Sequence, residues 1–151
     1  RMLRLSKKAD DALMAITHLA RKGDAPSTSA REIAEQHDIP IELLAKVLQR
    51  LVRTGLLMST QGTRGGYALS RPSTSISVAD VIQAIDGPFT VTACSSDNHG
   101  CDQYGKCSIR APLWQIRERI VATLGMVTMA EMASDNVAAA APVAHAAVVR
   151  R

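Results

Sequence analysis

The sequence predicts a mainly α-helical protein with one small β-hairpin, and three observations carry that expectation. Apolar residues recur at helical spacing in segments on both sides of a single strand-like stretch. That stretch, LLMSTQGTRGGYALS at 56–70, reads as two short strands around a turn containing Gly62, Gly65 and Gly66. All three cysteines fall within CSSDNHGCDQYGKC at 94–107, a run too rich in Gly, Asp, Asn and Ser for helix or strand.

Taken in order, Ser6 can cap a first helix reaching about Lys22, with Leu13, Ile16, Leu19 and Ala20 on one face and Gly23 closing it. DAPSTS connects it to a short helix, REIAEQH, which Ser29 and Glu32 open as a capping box. DIP makes a tight turn, and Pro40 sits where the first turn of the next helix tolerates it. In that helix Leu44, Val47, Leu48, Leu51 and Val52 form an apolar stripe, while Glu42, Ala45, Lys46, Gln49, Arg50 and Arg53 take the other side and Gly55 ends it. Two short helices joined by a tight turn, the second basic on its outer face and followed by a glycine-tipped hairpin, read as a winged helix-turn-helix.

Ser77 with Asp80 opens a further helix, VADVIQAID, which Gly87 and Pro88 stop. Beyond the cysteines, Leu113, Ile116, Ile120, Leu124 and Val127 recur on a long helix starting near Pro112. Such a stripe needs the winged-helix body, a twin, or both to cover it, and it predicts a long C-terminal dimerisation helix. Thr128 and Glu131 cap a short last helix. The expected organisation is a DNA-binding domain at 1–87, a cysteine loop at 88–108, and the dimerisation and terminal helices at 109–134. The Ala- and Val-rich segment 135–151 lacks any pattern and is expected to be poorly ordered.

Charge narrows the partner. The net charge is +4, and no Asp or Glu falls between residues 43 and 79, where Lys46, Arg50, Arg53, Arg64 and Arg71 lie. A stretch of one sign suits a polyanion. Aromatics are few (Tyr67, Phe89, Tyr104 and Trp114), too few to stack unpaired bases, so duplex DNA is the expected ligand. The opening residues hold no apolar segment of signal type, and the weakly apolar run from Val137 to Val149 is broken by Pro142 and His145. A cytoplasmic protein without a membrane partner is expected. His18, His37, His99 and His145 are scattered over unrelated segments, and no nucleophile sits in a motif, so no catalytic residues are expected.

The cysteines stand with six and then five residues between them. An odd count argues against a disulfide framework. Three thiolates on a loop with Gly100 and Gly105 suit an iron–sulfur cluster with a fourth ligand from elsewhere. A zinc site completed by His99 is the second option, although ligand pairs two to four residues apart are missing. Free, redox-active thiols are the third.

The opening MLRLSKKAD, then ALMAITHLA, EIAEQHDIPIELLAKVLQRLVRTGLL, the wing GTRGGYALSRP, ISVADVIQAIDGP, the cysteine spacing and LGMVTMAEM together resemble the IscR/NsrR family of winged-helix iron–sulfur regulators. The resemblance implies a homodimer on a palindromic operator. It also implies one cluster (2Fe–2S or 4Fe–4S) per subunit, held by Cys94, Cys101 and Cys107, whose state alters DNA binding. One branch supplies a histidine three residues after the last cysteine, where this chain has Arg110. The nitric-oxide-sensing branch uses an aspartate on the partner's first helix, and Asp10 stands at that place. Asp11 departs from the family, which has a tyrosine there, and sets a second carboxylate beside the candidate ligand. The expected signal is nitric oxide, redox state or iron–sulfur supply. In this reading Glu42, Ala45, Lys46 and Gln49 meet base edges, and Arg50, Arg53 and Arg71 meet phosphates. Gln61 and Arg64 belong to the wing, where Arg64 reaches a minor groove. The rival expectation is a metal-free thiol-switch regulator on the same fold.

Overall fold

A computed structural model describes residues 4–91 and 101–134. Cys94, His99 and the segment 135–151 lie outside the described residues. Six helices and one hairpin follow in the order α1 (Lys7–Lys22), α2 (Ala30–His37), α3 (Ile41–Arg53), β1 (Leu57–Thr60), β2 (Gly66–Leu69), α4 (Val78–Asp86), α5 (Arg110–Met126) and α6 (Met129–Ala133). This is the mainly α architecture with a two-stranded antiparallel hairpin that the sequence predicts.

The core forms where the helical stripes meet. Ile16 of α1, Ile33 of α2, Leu44, Leu48 and Leu51 of α3, and Val81 of α4 are all fully buried. Each such side chain contributes about 1.5–3 kcal/mol, against roughly 1 kcal/mol for a helix cap, so packing rather than capping holds the helices together. The buried face of α1 runs through Ala12, Ala15, Ile16 and Leu19; Leu13 and Ala20, expected at its centre, lie half-buried at its edge.

Caps nevertheless set where helices begin and how they meet. The Ser6 hydroxyl oxygen accepts from Ala9 N, and its O–H donates to Asp86 Oδ1 at 2.6 Å, tying the start of α1 to the end of α4. Ser77 and Asp80, and Thr128 and Glu131, form the reciprocal capping boxes the sequence predicts. Ser29 accepts from Glu32 N, but the box is only half made. The Glu32 carboxylate is drawn instead to the Lys22 ammonium at the end of α1. Between α2 and α3 the chain turns through Asp38 at φ 52°, the left-handed region that a short polar side chain tolerates.

The hairpin pairs Leu57 with Leu69 and Thr60 with Gly66 at its two ends. A two-stranded hairpin is marginal alone, and here Thr28 supplies a third line of pairing. Thr28 N donates to Tyr67 O at 2.9 Å, and Tyr67 N donates to Thr28 O at 2.8 Å. Gly66 makes this approach possible: a Cβ there would lie 2.3 Å from Thr28 O and 2.9 Å from Ser29 N. At the far end of the chain, Val78 N donates to Val127 O and Met129 N donates to Ile76 O. This backbone bridge returns the chain to the body and places Met129 of α6, fully buried, in the same core as α1 and α4.

The sequence treats the four histidines as scattered; the fold corrects this for two of them. His18 Nδ1 and His37 Nε2 are 3.1 Å apart, with the rings edge to face. His18 Nε2 is buried without a hydrogen bond, Glu32 Oε1 being 3.8 Å away. Burial, and then the charges of His37 and Lys22, hold the His18 imidazole below its ordinary pKa of 6.5.

Two outcomes follow from these contacts. Gly66→Ala drives a side-chain atom into backbone rather than into a side chain that can yield, so it should destabilise the fold by about 1–3 kcal/mol in urea denaturation. For His18, the unfolded chain takes up a proton at a higher pH than the folded one. Its contribution is therefore complete above the unfolded value of 6.5 and is lost as pH falls below it. Melting midpoints measured between about pH 7.5 and 5.5 should fall with acid. The fall should be shallower in His18→Gln.

Candidate nucleic-acid interface and cysteine turn

The rotation of α3 about its own axis is set by its buried side. Leu44, Val47, Leu48 and Leu51 all point inward. At 100° per residue, Glu42, Lys46, Gln49 and Arg53 then cluster on the opposite side, and all four are exposed. Ala45 lies half-buried at the edge of that face. Gln49 and Arg53 also line a cleft of about 680 Å³ between α3, the hairpin and the first turn of α2. Gln61, Gly65 and Ser29 line the same cleft, so the structure brings Gln61, one wing residue of the expected set, to α3. Arg64 is exposed at the hairpin tip, and its backbone carbonyl accepts from Ser27 Oγ at 3.0 Å.

Two of the expected phosphate contacts are engaged elsewhere. Arg50 Nε donates to Ala84 O at 3.1 Å, joining α3 to the last turn of α4. Arg71 pairs with Asp80 at 3.3 Å and donates to Ser75 O, which turns it toward the start of α4 rather than toward α3. Sequence reasoning missed two apolar residues on the first turn of α3: Ile41 and Leu43 are 45% and 49% exposed. Leu43 stands about 100° from the Leu44 direction, off the apolar stripe, whereas Ile41 is about 60° from it and is exposed because it opens the helix.

The second cluster of chemistry sits at the start of α5. Cys101 and Cys107 are half-buried free thiols on either side of a 3-10 turn, Tyr104–Lys106. Tyr104 N donates to Cys101 O at 3.1 Å, and Lys106 N donates to Gln103 O at 2.9 Å. Arg110 stands where a histidine ligand would sit. Its Nη1 donates to Tyr104 O at 2.7 Å, and its guanidinium lies over the Tyr104 ring at 4.1 Å. A guanidinium presents donors only, so this position has no lone pair for a metal. Among the described residues, no three His, Cys, Asp or Glu side chains converge on one point.

The two neighbouring carboxylates of α1 part company. Asp11 is 3% exposed, with the Lys7 ammonium 2.9 Å from Oδ1 but no well-aligned hydrogen bond to that oxygen. Asp10 faces outward in the first turn of the helix. Helix α5 is likewise open: it has no fully buried residue, and Trp114, Ile116 and Met126, with Ile109 just before its start, are 41–72% exposed. Among the described residues no helix is long and apolar enough to cross a membrane.

Comparison with known proteins agrees with this arrangement. Residues 5–135 match the Rrf2 family, described as "Iron-dependent Transcriptional regulator". The chain is 31% identical over 135 residues to the HTH-type transcriptional regulator IscR of Escherichia coli, covering 89% of this chain and 82% of that protein. Its fold is similar to CymR, the global cysteine regulator of B. subtilis, with a TM-score of 0.70 and 26% identity over 87% of this chain and 97% of that one. It is also similar to T. potens IscR, with a TM-score of 0.67 and 25% identity over 86% and 85% of the two chains.

Proposed function

The chain belongs to the Rrf2 family of transcriptional regulators, and from that premise we propose that it is a cytoplasmic homodimeric repressor or activator whose operator binding is set by an iron–sulfur cluster. The observation that carries the cluster is the pair of half-buried free thiols, Cys101 and Cys107, flanking one short turn. Thiolates are the donors that iron–sulfur clusters take, and Cys94 supplies the third from the same segment. When bound, the cluster supplies an iron site that oxidants or nitric oxide can reach.

The fourth ligand is Asp10 of the partner subunit. Asp11 points into its own core beside Lys7, and Arg110 has no lone pair to offer, whereas Asp10 is exposed at the open end of α1. A carboxylate is a harder donor than thiolate and leaves one iron more labile, which suits a sensor. His99 remains the rival donor within the loop. The uncovered apolar side chains of α5 support a second copy of the chain as their cover.

On DNA, α3 lies in the major groove with Glu42, Lys46 and Gln49 toward base edges and Arg53 toward a phosphate. Gln61 and Arg64 of the wing reach the adjoining minor groove. Arg50 and Arg71 join the phosphate set through the N–H donors that their bonds to Ala84 O and Asp80 leave over. A thiol switch between loop cysteines is the second reading, favoured by the position of Cys101 and Cys107 about a single turn.

Protein purified without oxygen should carry iron and sulfide with visible absorption, and Cys94→Ala, Cys101→Ala and Cys107→Ala should each lose it while remaining folded. Asp10→Ala should keep the iron but alter the spectrum and the rate of reaction with nitric oxide. A chain that holds neither iron nor sulfide, yet binds DNA differently after mild oxidation, belongs to the thiol-switch reading. For the interface, Arg53→Ala should weaken duplex binding on every sequence and reduce the slope of log K against log salt by about one. Lys46→Ala should change which operator bases are tolerated, at about 1–3 kcal/mol for a lost base contact. Equal losses on all sequences for both variants would mean that the reading face has been misplaced.

A further inference from the structure

Arg110 and Arg117 stand seven residues apart on α5, close to two full turns, so their side chains leave the same side of the helix. Both are half-buried, and both spend a guanidinium N–H on a backbone carbonyl of the segment between α4 and α5. Arg117 Nε donates to Phe89 O at 2.6 Å, upstream of Cys94. Arg110 Nη1 donates to Tyr104 O at 2.7 Å, between Cys101 and Cys107, and stacks on the Tyr104 ring. Carbonyls of an irregular segment have no ladder or helix partner of their own, and a charged donor satisfies them more strongly than a neutral one. Glu118 pairs with Nη1 of Arg117, which leaves Nε directed at Phe89.

We propose that these two arginines form a clasp that holds Phe89 and the turn between Cys101 and Cys107 against α5 and makes α5 respond to what happens at those cysteines. The turn that bears Cys101 and Cys107 is then held, like Phe89, to one face of one helix. A change in its shape must either break a guanidinium–carbonyl bond or carry α5 with it. Both arginines are positioning residues, since neither offers a group to the chemistry at the thiols. The clasp deepens the reading that Cys94, Cys101 and Cys107 are the sensing site and rests on it, but its test needs no metal.

The test uses the full-length, reduced, metal-free protein and its Arg110→Ala, Arg117→Ala and Arg117→Lys variants. Alkylation of each cysteine by iodoacetamide is followed by peptide mass spectrometry, alongside thermal melts and duplex binding before and after alkylation. Losing a charge-assisted bond should raise the local reaction rate roughly tenfold. The effect should fall on Cys101 and Cys107, most strongly in Arg110→Ala and less in Arg117→Ala, with little change in melting temperature. Arg117→Lys should restore part of the protection, because it returns a charged donor. Alkylation should shift duplex affinity in the original protein and shift it less in the two alanine variants. Unchanged alkylation rates, or an unchanged shift in duplex affinity, would overturn the clasp. Absence of iron from the original protein would instead overturn the cluster reading alone. Should Arg110→Ala fail to fold, the Arg117 pair still decides the matter.

Discussion

The inward packing of one side of α3 is the constraint on which the rest depends. Leu44, Leu48 and Leu51 are fully buried against α1, α2 and α4, and a helix held by three such side chains cannot rotate about its axis. Rotation by a single residue position would expose a leucine and bury Lys46 or Arg53, at a cost of several kcal/mol. The outward residues are therefore presented in one orientation, fixed by the buried side. The wing depends on the same constraint at one remove, because β1 follows α3 after a tight turn and pairs with β2, which Thr28 holds in place.

The helices and their starts were legible because they rest on local chemistry. Ser6, Ser77 and Thr128 each meet their caps within the next few residues, and such short-range pairing shows in the sequence. Ser29 and Glu32 have the same spacing, yet Glu32 turns to Lys22, a residue that only the packing of α1 on α2 brings near. Arg50 is a similar case. Its place on the outer side of α3 was readable, but its bond to Ala84 depends on where α4 ends in space. The His18–His37 pair was hidden for the same reason.

Within the cysteine stretch, the sequence spoke for residue type and not for arrangement. Three thiols in one loop limit the chemistry to soft metals or redox events, whichever way the loop runs. That Arg110 would engage Tyr104 could not be foreseen, since the pairing needs the 3-10 turn that brings Tyr104 O within its reach. Asp10 and Asp11 were indistinguishable as letters. Burial separates them, because one lies toward α1's packed side and the other away from it.

The backbone bridge between Ser77 and Thr128 gives the molecule a handle-like topology. The chain leaves α4 at Gly87 and, by way of α5, returns beside the point where α4 begins. Everything between exit and return is thus an excursion that departs from the end of α4 and comes back to its start. Loop closure grows costlier only slowly with length, so such an excursion can be lengthened, shortened or given different side chains with little penalty to the body that reads DNA. A lineage of regulators built this way can exchange its input chemistry while keeping one output module intact.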